Sequence, residues 1–525
     1  MEWTTALRKW VMPSQHSMGN TQHTKNNVAL LYKALERELH FSGESKNIDF
    51  YVSSLTEYNP YHNTAEIEDW LYSLNSEQHF SVQRIPLPEL RKWNFHSSTG
   101  NLEHVSGGFF SIRGLKVKTN VGTISQWSQP IIYQPDVGIL GIITKKIQGI
   151  LYFLVQAKPE PGNINTYQLS PTVQATRSNY MRFHGGKATL YIEHFLGKKK
   201  THVLIDQMQS EQGARFFCKR NRNMIVRLRD DEEIELGPYH RWLTLGQLHA
   251  LLQKNNIVNM DTRSVISVIN FNPECVTSLK PINPHSLRGV LESSFIVKKP
   301  INDFAISLII SSHQNSKPLH TTEKILQTIA QEKFKTTLER ELIPLNEVNQ
   351  WMRTPDEIFH NERKYFSIIG VRIQTRDREV TTWDQPIVQQ QHPGIVGFIT
   401  KEINGLLHVL IQLKMESGVM DLLEIAPTVQ CITDNYTADD MPLYTEKFLD
   451  QEGCMVFVAS HQSEEGGRFY KESNRNIILL TDQTFSEIEH RSFIWVSMRQ
   501  LKEFIQFSNF INVEGRSLIS CLKMT

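Results

Sequence analysis

The sequence predicts an α+β protein in which one mixed-sheet module is used twice. Three observations carry that prediction. Gln168 to Tyr180 returns as Glu424 to Tyr436 with its Pro, Thr, Val, Gln, Asn and Tyr in register. Trp127-Ser128-Gln129-Pro130 returns 256 positions later as Trp383-Asp384-Gln385-Pro386, and the strip Ser210 to Phe217 returns 253 positions later as Ser463 to Tyr470. Agreement at a nearly fixed offset means that one supersecondary unit was copied. The apolar segments are short, rich in Ile, Val, Leu and Phe, and separated by Gly, which predicts strands with few long helices. Two copies of one module are expected to pack about a pseudo-twofold axis, by the logic of a symmetric dimer.

The 525-residue length is enough for two domains or more. Its 40% hydrophobic and 21% charged residues are ordinary for a globular protein, and a net charge of +1 suggests no polyanionic partner. No basic stripe, RNA-binding aromatic motif or zinc finger is present, so nucleic acid is set aside. Cys218, Cys275, Cys431, Cys454 and Cys521 are scattered and odd in number, which points to a reducing compartment and a cytoplasmic location. Met1 to Asn20 has no apolar core of a signal peptide. The most apolar run, Val137 to Val155, is broken by Lys145, Lys146 and Gln148 and predicts two strands about a turn, with no membrane span.

The expected organisation is an N-terminal extension (1–65), a first repeat (66–280), a linker (281–320) and a second repeat (321–525). In the extension, Asn27 is positioned to cap a helix carrying Val28, Leu31, Leu35 and Leu39. The first repeat opens near Ile67, and Pro86 to Leu90 leads to Trp93. Strands are expected at 108–115, 131–133, 139–143 and 151–157, then at 201–207 and 224–228 after an ambiguous segment at 191–196. Trp242 and a helix at 245–253 close the repeat. The linker is drawn where Pro281, Pro284, Pro300 and Pro318 interrupt regular structure. A helix from about Glu323 to Leu342 opens the second repeat. Trp351, Asn474-Arg475-Asn476, Trp495, Asn512, Arg516 and Ser517 then match residues of the first repeat, including Asn259, Arg263 and Ser264.

Together, Trp127 to Pro130, Gln156 to Asn163 and Gln168 to Tyr180 resemble the NDP-hexose 2,3-dehydratases. Arg378-Glu379-Val380, Trp383 to Pro386 and Ala426 to Cys431 look like the second half of that family. The resemblance covers about residues 67–525. It implies two Nudix-like motifs per subunit, a homodimer, and action on a nucleoside-diphosphate 4-keto-6-deoxyhexose such as dTDP-4-keto-6-deoxyglucose. It also implies that each motif can hold a nucleotide-sugar while one pocket is catalytic. The glutamate-rich signature of a Nudix hydrolase is absent from both copies, which counts against metal-dependent diphosphate hydrolysis.

Elimination across C2 and C3 needs a base for the C3 proton, an acid for the departing hydroxyl, and donors for the charge growing on the C4 oxygen. It is redox-neutral, and no G-x-G-x-x-G follows a strand, so neither a cofactor nor a metal is expected. Glu160 is the candidate base or acid, Lys158 its electrostatic partner, and His194 a further titrating group. Arg177 is the candidate diphosphate ligand, because a guanidinium binds phosphate oxygens bidentately. Asn163, Gln168, Ser170, Thr172, Gln174, Ser178, Asn179 and Arg215 supply further donors, and Trp127 or Tyr180 could stack on the base. The second pocket is expected from Arg378, Trp383, Lys414, Glu416, Thr428, Gln430, Asn435, Tyr436 and Arg468. Competing structural roles are a surface ion pair for Arg177, a charged turn for Lys158 and Glu160, a fold-stabilising pair for Arg215 and Arg468, and core packing for the tryptophans. A non-catalytic nucleotide-sugar binding protein is the alternative function. The working pocket is expected in the first repeat, because the second replaces Asn163, Ser170 and Arg177 with Val419, Ala426 and Thr433.

Overall fold

The run from Val137 to Val155 folds as its polar interruption predicts. In the computed structural model, which describes residues 18–41, 47–77, 79–180, 189–272, 280–313, 317–376 and 380–524, strands Gly138–Ile147 and Ile150–Pro159 pair antiparallel. Gln148 (φ 53°) and Gly149 (φ 88°) join them, and consecutive positive φ values make the type I′ turn that suits a twisted hairpin. Asn404 (φ 54°) and Gly405 (φ 73°) repeat this turn between Ile395–Ile403 and Leu406–Lys414.

Each hairpin is the centre of a seven-stranded mixed sheet. In the first half the order is His202–Ser210, Arg220–Arg227, Gly138–Ile147, Ile150–Pro159, His240–Thr244, with Tyr167–Pro171 and Val173–Ala175 attached to the hairpin strands. Only the contact of Arg220–Arg227 with Gly138–Ile147 is parallel. The second half repeats this order and its single parallel pair with Cys454–Ser463, Ser473–Thr481, the Ile395–Lys414 hairpin and Phe493–Ser497. The protein is therefore α+β with two similar halves.

Two smaller sheets are shared between the halves. Strand Phe80–Ile85 pairs with Phe366–Thr375 of the second half, and Leu338–Ile343 pairs with Ser111–Thr119 of the first. The registers correspond: Phe80 faces Thr375 as Leu338 faces Thr119, and Ile85 faces Gly370 as Ile343 faces Gly114. A glycine is required at both crossings, since a Cβ on Gly370 would lie 2.7 Å from the Ile85 carbonyl oxygen and one on Gly114 2.6 Å from Val348. The segments 66–280 and 321–525 thus each lend a strand to the other.

This exchange corrects the helix expected to run to Leu342. The helix is Thr322–Lys335, and Thr336 caps its end in an extended conformation. The β-branched Thr336-Thr337 pair favours the strand that follows. Asn27 lies inside the helix Met18–Glu38 and is not its N-cap, although Val28, Leu31, Leu35 and Leu39 are buried as expected. The proline-marked join contains two helices, Pro284–Ser293 and Asp303–His313, with Pro284 at the first helical turn, where its missing N–H costs nothing. Helices Asn47–Leu55 and Asp303–His313 occupy corresponding places, each against its own hairpin and the helix that follows the last strand of its sheet. Among the described residues, no helix is long and apolar enough to cross a membrane.

Between the halves lie two fully buried arginines. Arg263 donates from Nε to Ser517 Oγ (2.9 Å) and from Nη2 to the Ser463 carbonyl (2.6 Å). Arg516 donates from Nε to Ser264 Oγ (3.1 Å) and from Nη2 to the Ser210 carbonyl. A buried guanidinium must satisfy its donors, so each arginine fixes the strand end from which the other half's 210–217 or 463–470 strip departs.

Candidate active site

The end of strand Ile150–Pro159 delivers Lys158, and Pro159 and Pro161 stop the ladder because neither offers an N–H. Glu160 to Asn163 then forms a turn closed by Asn163 N donating to the Glu160 carbonyl (3.2 Å). Glu160 is buried. Its Oε1 accepts from Gln174 Nε2 (2.9 Å) and lies 3.4 Å from Lys158 Nζ. Asn259, which caps the helix Met260–Ser267, donates in turn to Gln174 Oε1 (3.3 Å) and to Ser170 Oγ (2.9 Å). The result is a relay of Asn259, Gln174 and Glu160 with an ammonium beside the carboxylate.

The relay is repeated in the second half. Asn512 Nδ2 donates to Gln430 Oε1 (2.8 Å), and Gln430 Nε2 donates to Glu416 Oε1 (3.0 Å). Lys414 instead donates to the Gln430 carbonyl (2.8 Å). The lysine therefore meets the glutamate only in the first copy, which separates two sites of nearly equal composition.

Each relay is completed by a loop from the opposite half. Gly162 N donates to the Gly466 carbonyl and the Gly162 carbonyl accepts from Lys471 N, both at 2.7 Å. A Cβ on Gly162 would stand 1.6 Å from the Phe469 carbonyl oxygen. Gly418 docks likewise on the first half, donating to the Gly213 carbonyl (2.6 Å) and accepting from Cys218 N (2.7 Å). This crossing corrects the placement of the two arginines. The charged groups around Arg215 are Glu472, Glu416, Glu514 and Glu464, so it serves the second site. Arg468 serves the first, beside Glu465, Glu160 and Lys158. Arg468 Nε and Nη2 hold Gln134 Oε1 at 3.2 Å, and its guanidinium lies 4.1 Å from the centre of the Phe110 ring.

The first site is rich in carboxylates. Burial raises Asp261 well above the ordinary range, with Glu465, Glu211 and Glu160 adding to the effect. Burial also raises Glu465 and, against the pull of Arg516 and Lys219, Glu211. Such groups hold protons to higher pH than a free carboxylate, as acid–base chemistry near neutrality requires. Among the described residues, no group of three or more His, Cys, Asp or Glu is arranged to hold a metal ion.

Several expected ligands have structural partners. Thr172 donates to the Leu154 carbonyl and accepts from Ile143 N (2.9 Å), and Thr428 does the same with Leu410 and Ile399 (2.9 Å). Gln168 is buried between Asn165 and Ser463, and Asn163 donates to the Thr166 carbonyl (2.8 Å). Trp127 and Trp383 donate to Gln129 and Gln385 (both 2.9 Å) and pack half-buried against the apolar clusters of the small sheets. His194 is also apart: it is buried, burial lowers its pKa, and its charged neighbours are Lys199, Glu193 and Glu232. Arg177 is exposed at the start of the short helix Arg177–Tyr180, three residues beyond Gln174, and Tyr180 is half-buried there. The side chains of Ser178 and Asn179, together with Arg378 and Glu379, lie outside the described residues. Asn435 accepts from Tyr365 N (3.2 Å), and Tyr436 stays partly exposed. A polar cleft of 540 Å³ beside Ser81, Gln374 and Arg376 shares no residue with either relay.

Sequence reasoning missed Glu465 and Asp261. Glu465 lies in the duplicated strip, where the change from Gln212 to Glu465 was the available signal.

The NDP-hexose 2,3-dehydratase family model matches residues 64–269 and 322–522, and so includes both relays and both crossing loops. The chain is 40% identical over 488 residues to a dTDP-4-dehydro-6-deoxy-alpha-D-glucopyranose 2,3-dehydratase of Saccharopolyspora spinosa, covering 91% of this chain and 95% of that protein. Proteins of the same name from Amycolatopsis orientalis and Streptomyces violaceoruber are 35% and 36% identical, covering 87% and 88% of this chain and 90% and 97% of theirs. With both halves matched, the chain belongs to the NDP-hexose 2,3-dehydratase family.

Proposed function

We propose that this chain eliminates water across C2 and C3 of a dTDP-linked 4-keto-6-deoxyglucose, and that the first site does the work. The observation that carries the assignment of the site is the 3.4 Å approach of Lys158 Nζ to Glu160 Oε1, which its counterpart Lys414 does not repeat. Glu160 takes the C3 proton, which the C4 ketone acidifies. The Lys158 ammonium stabilises the negative charge that passes to the C4 oxygen. The hydroxyl leaves C2, and the enol product tautomerises to a 3,4-diketo sugar without gain or loss of electrons. Exposed Arg177, close in sequence to Gln174, is the proposed diphosphate anchor.

The corresponding strand exchange supports a pseudo-twofold relation between the halves. The family resemblance supports Nudix-like units and a homodimer, and the scattered cysteines support a cytoplasmic setting. The test is incubation of the full chain with dTDP-4-keto-6-deoxyglucose and mass analysis of the nucleotide-sugar. Loss of one water is expected. Release of nucleoside monophosphate with no dehydrated sugar would overturn the proposal.

A further inference from the structure

The two sites also differ in the loop each receives from the other half. Glu465 enters the first site where Gln212 enters the second. Gln212 is buried and committed: its Nε2 donates to Glu464 Oε2 (2.7 Å) and contacts Met260 Sδ (3.1 Å). Glu465 is half-buried. Its backbone carbonyl accepts from Arg468 N and Phe469 N (both 3.0 Å), which fixes the residue in place. Its carboxylate lies over Gly467, where a Cβ would meet Oε1 at 2.4 Å, and forms no hydrogen bond or ion pair among the described residues. The groups facing it are Arg468 on its own loop, Glu160 and Lys158 on the turn, Glu211 on the first half's strip, and Asp261 on the helix Met260–Ser267.

Among the described residues, Glu160 Oε2 and Asn163 Oδ1 have no hydrogen-bond partner, although both residues are only 4% exposed. Gly466 packs directly against both side chains, since a Cβ there would come within 2.1 Å of Asn163 Oδ1 and 3.0 Å of the Glu160 Cβ. A buried acceptor without a donor is costly, and a ligand hydroxyl is one group that would satisfy it.

We propose that Glu465 is a catalytic residue, the carboxylic acid that protonates the hydroxyl leaving C2 while Glu160 takes the C3 proton. The inference rests on reading the first site as the dehydration site. The C3–H bond breaks, its proton goes to Glu160 and its electron pair enters the C4 carbonyl. That pair then returns to form the C2–C3 double bond as the C2–O bond breaks, and the departing oxygen takes the Glu465 proton and leaves as water. The proton gained by Glu160 and the one lost by Glu465 cancel by exchange with solvent. Burial together with Glu160 and Glu211 raises the Glu465 carboxyl, against Arg468 and Lys158, so the acid form persists to higher pH. The catalytic residue of one half is thus supplied by the other, and the second site carries an amide, Gln212, tied to Glu464, at the position of Glu465.

The test compares Glu465→Gln, Gln212→Glu and Glu160→Gln in the full chain, with dTDP-4-keto-6-deoxyglucose as substrate. Glu465→Gln is expected to lower kcat by about 10²–10⁴-fold with little change in KM, and to remove the alkaline fall of kcat. Gln212→Glu is expected to stay within about twofold, a difference below the roughly 10²-fold floor for losing an acid or base. Glu465→Asp should keep the alkaline limb at reduced rate, and formate should restore part of the activity of Glu465→Ala, which decides the matter even where the Gln variant folds poorly. Wild-type kcat in Glu465→Gln, or an unchanged alkaline limb, overturns the proposal. Full activity in Glu160→Gln would instead overturn the assignment of the site.

Discussion

Glu424 occupies the place in the second half that Gln168 occupies in the first, and replacing it with Gln should stabilise the protein at alkaline pH. Ser463 Oγ donates to Gln168 Oε1 (2.7 Å), as Ser210 Oγ donates to Glu424 Oε2 (2.9 Å), so an amide oxygen can accept the same bond. Burial pushes the Glu424 carboxyl up to about 7, although Arg516 and the Ser210 hydroxyl favour its charged form. The folded pKa is above the unfolded one. Below the unfolded pKa of 4.5 the group is neutral in both states and its contribution is fully present. As pH rises, the unfolded chain ionises first and the contribution is lost by the time pH passes the folded pKa of about 7. A shift from 4.5 to about 7 corresponds to roughly 3 kcal/mol at 1.36 kcal/mol per unit. An unfolding entropy of about 2.1 cal/mol/K per residue gives about 1.1 kcal/mol/K for 525 residues, so the corresponding change in Tm is about 3 °C. Thermal melts of wild type and Glu424→Gln at pH 5 and pH 8.5 measure it. The Tm of the variant relative to wild type should rise by that amount between the two conditions. A difference that does not depend on pH would refute the argument that burial raises this carboxyl.

Three further outcomes are expected. Gly162→Ala drives a Cβ into the Phe469 carbonyl and should cost roughly 2–5 kcal/mol from overpacking and two lost backbone hydrogen bonds, read by denaturant unfolding. Arg177→Ala should raise KM or lower kcat/KM about ten- to a hundredfold while Thr433→Ala does little; unchanged kinetics in Arg177→Ala, with a large loss on mutating Arg378 or Glu379, would move the working pocket to the second half. Because each half supplies a strand to the other's small sheet, residues 1–313 and 317–525 expressed apart should aggregate, whereas coexpression should restore dehydration; activity in either piece alone would contradict the composite site.

The duplication, the paired strands around Gln148 and the Lys158–Glu160 pair were legible because they depend on local pattern and on comparing one copy with the other. The exchange of Phe80–Ile85 for Leu338–Ile343 was not, because a strand's sequence records its pleat and leaves its partner unspecified. Leu338 to Leu342 followed a helical pattern and read as more helix until its pairing with Ser111–Thr119 was visible. The same crossing hid the site. Arg215 and Arg468 were each read with the relay nearest in sequence, while the loops place them at the opposite ones. Thr172 and Thr428 looked like ligand donors, but their hydroxyls bridge the central hairpins. Asp261 is an acidic residue in the first turn of its helix, with nothing in the local sequence to single it out; its proximity to Glu160 and Glu465 distinguishes it.

The central claim is that dehydration occurs at the first relay, where lysine and glutamate meet. The most direct measurement is kcat for dehydration of dTDP-4-keto-6-deoxyglucose by Glu160→Gln and by Glu416→Gln, with folding verified by matched Tm. The first is predicted to lose about 10²–10⁴ of kcat, the range for removing a general base, while the second keeps most of it. A collapse in Glu416→Gln with Glu160→Gln near wild type would contradict the claim.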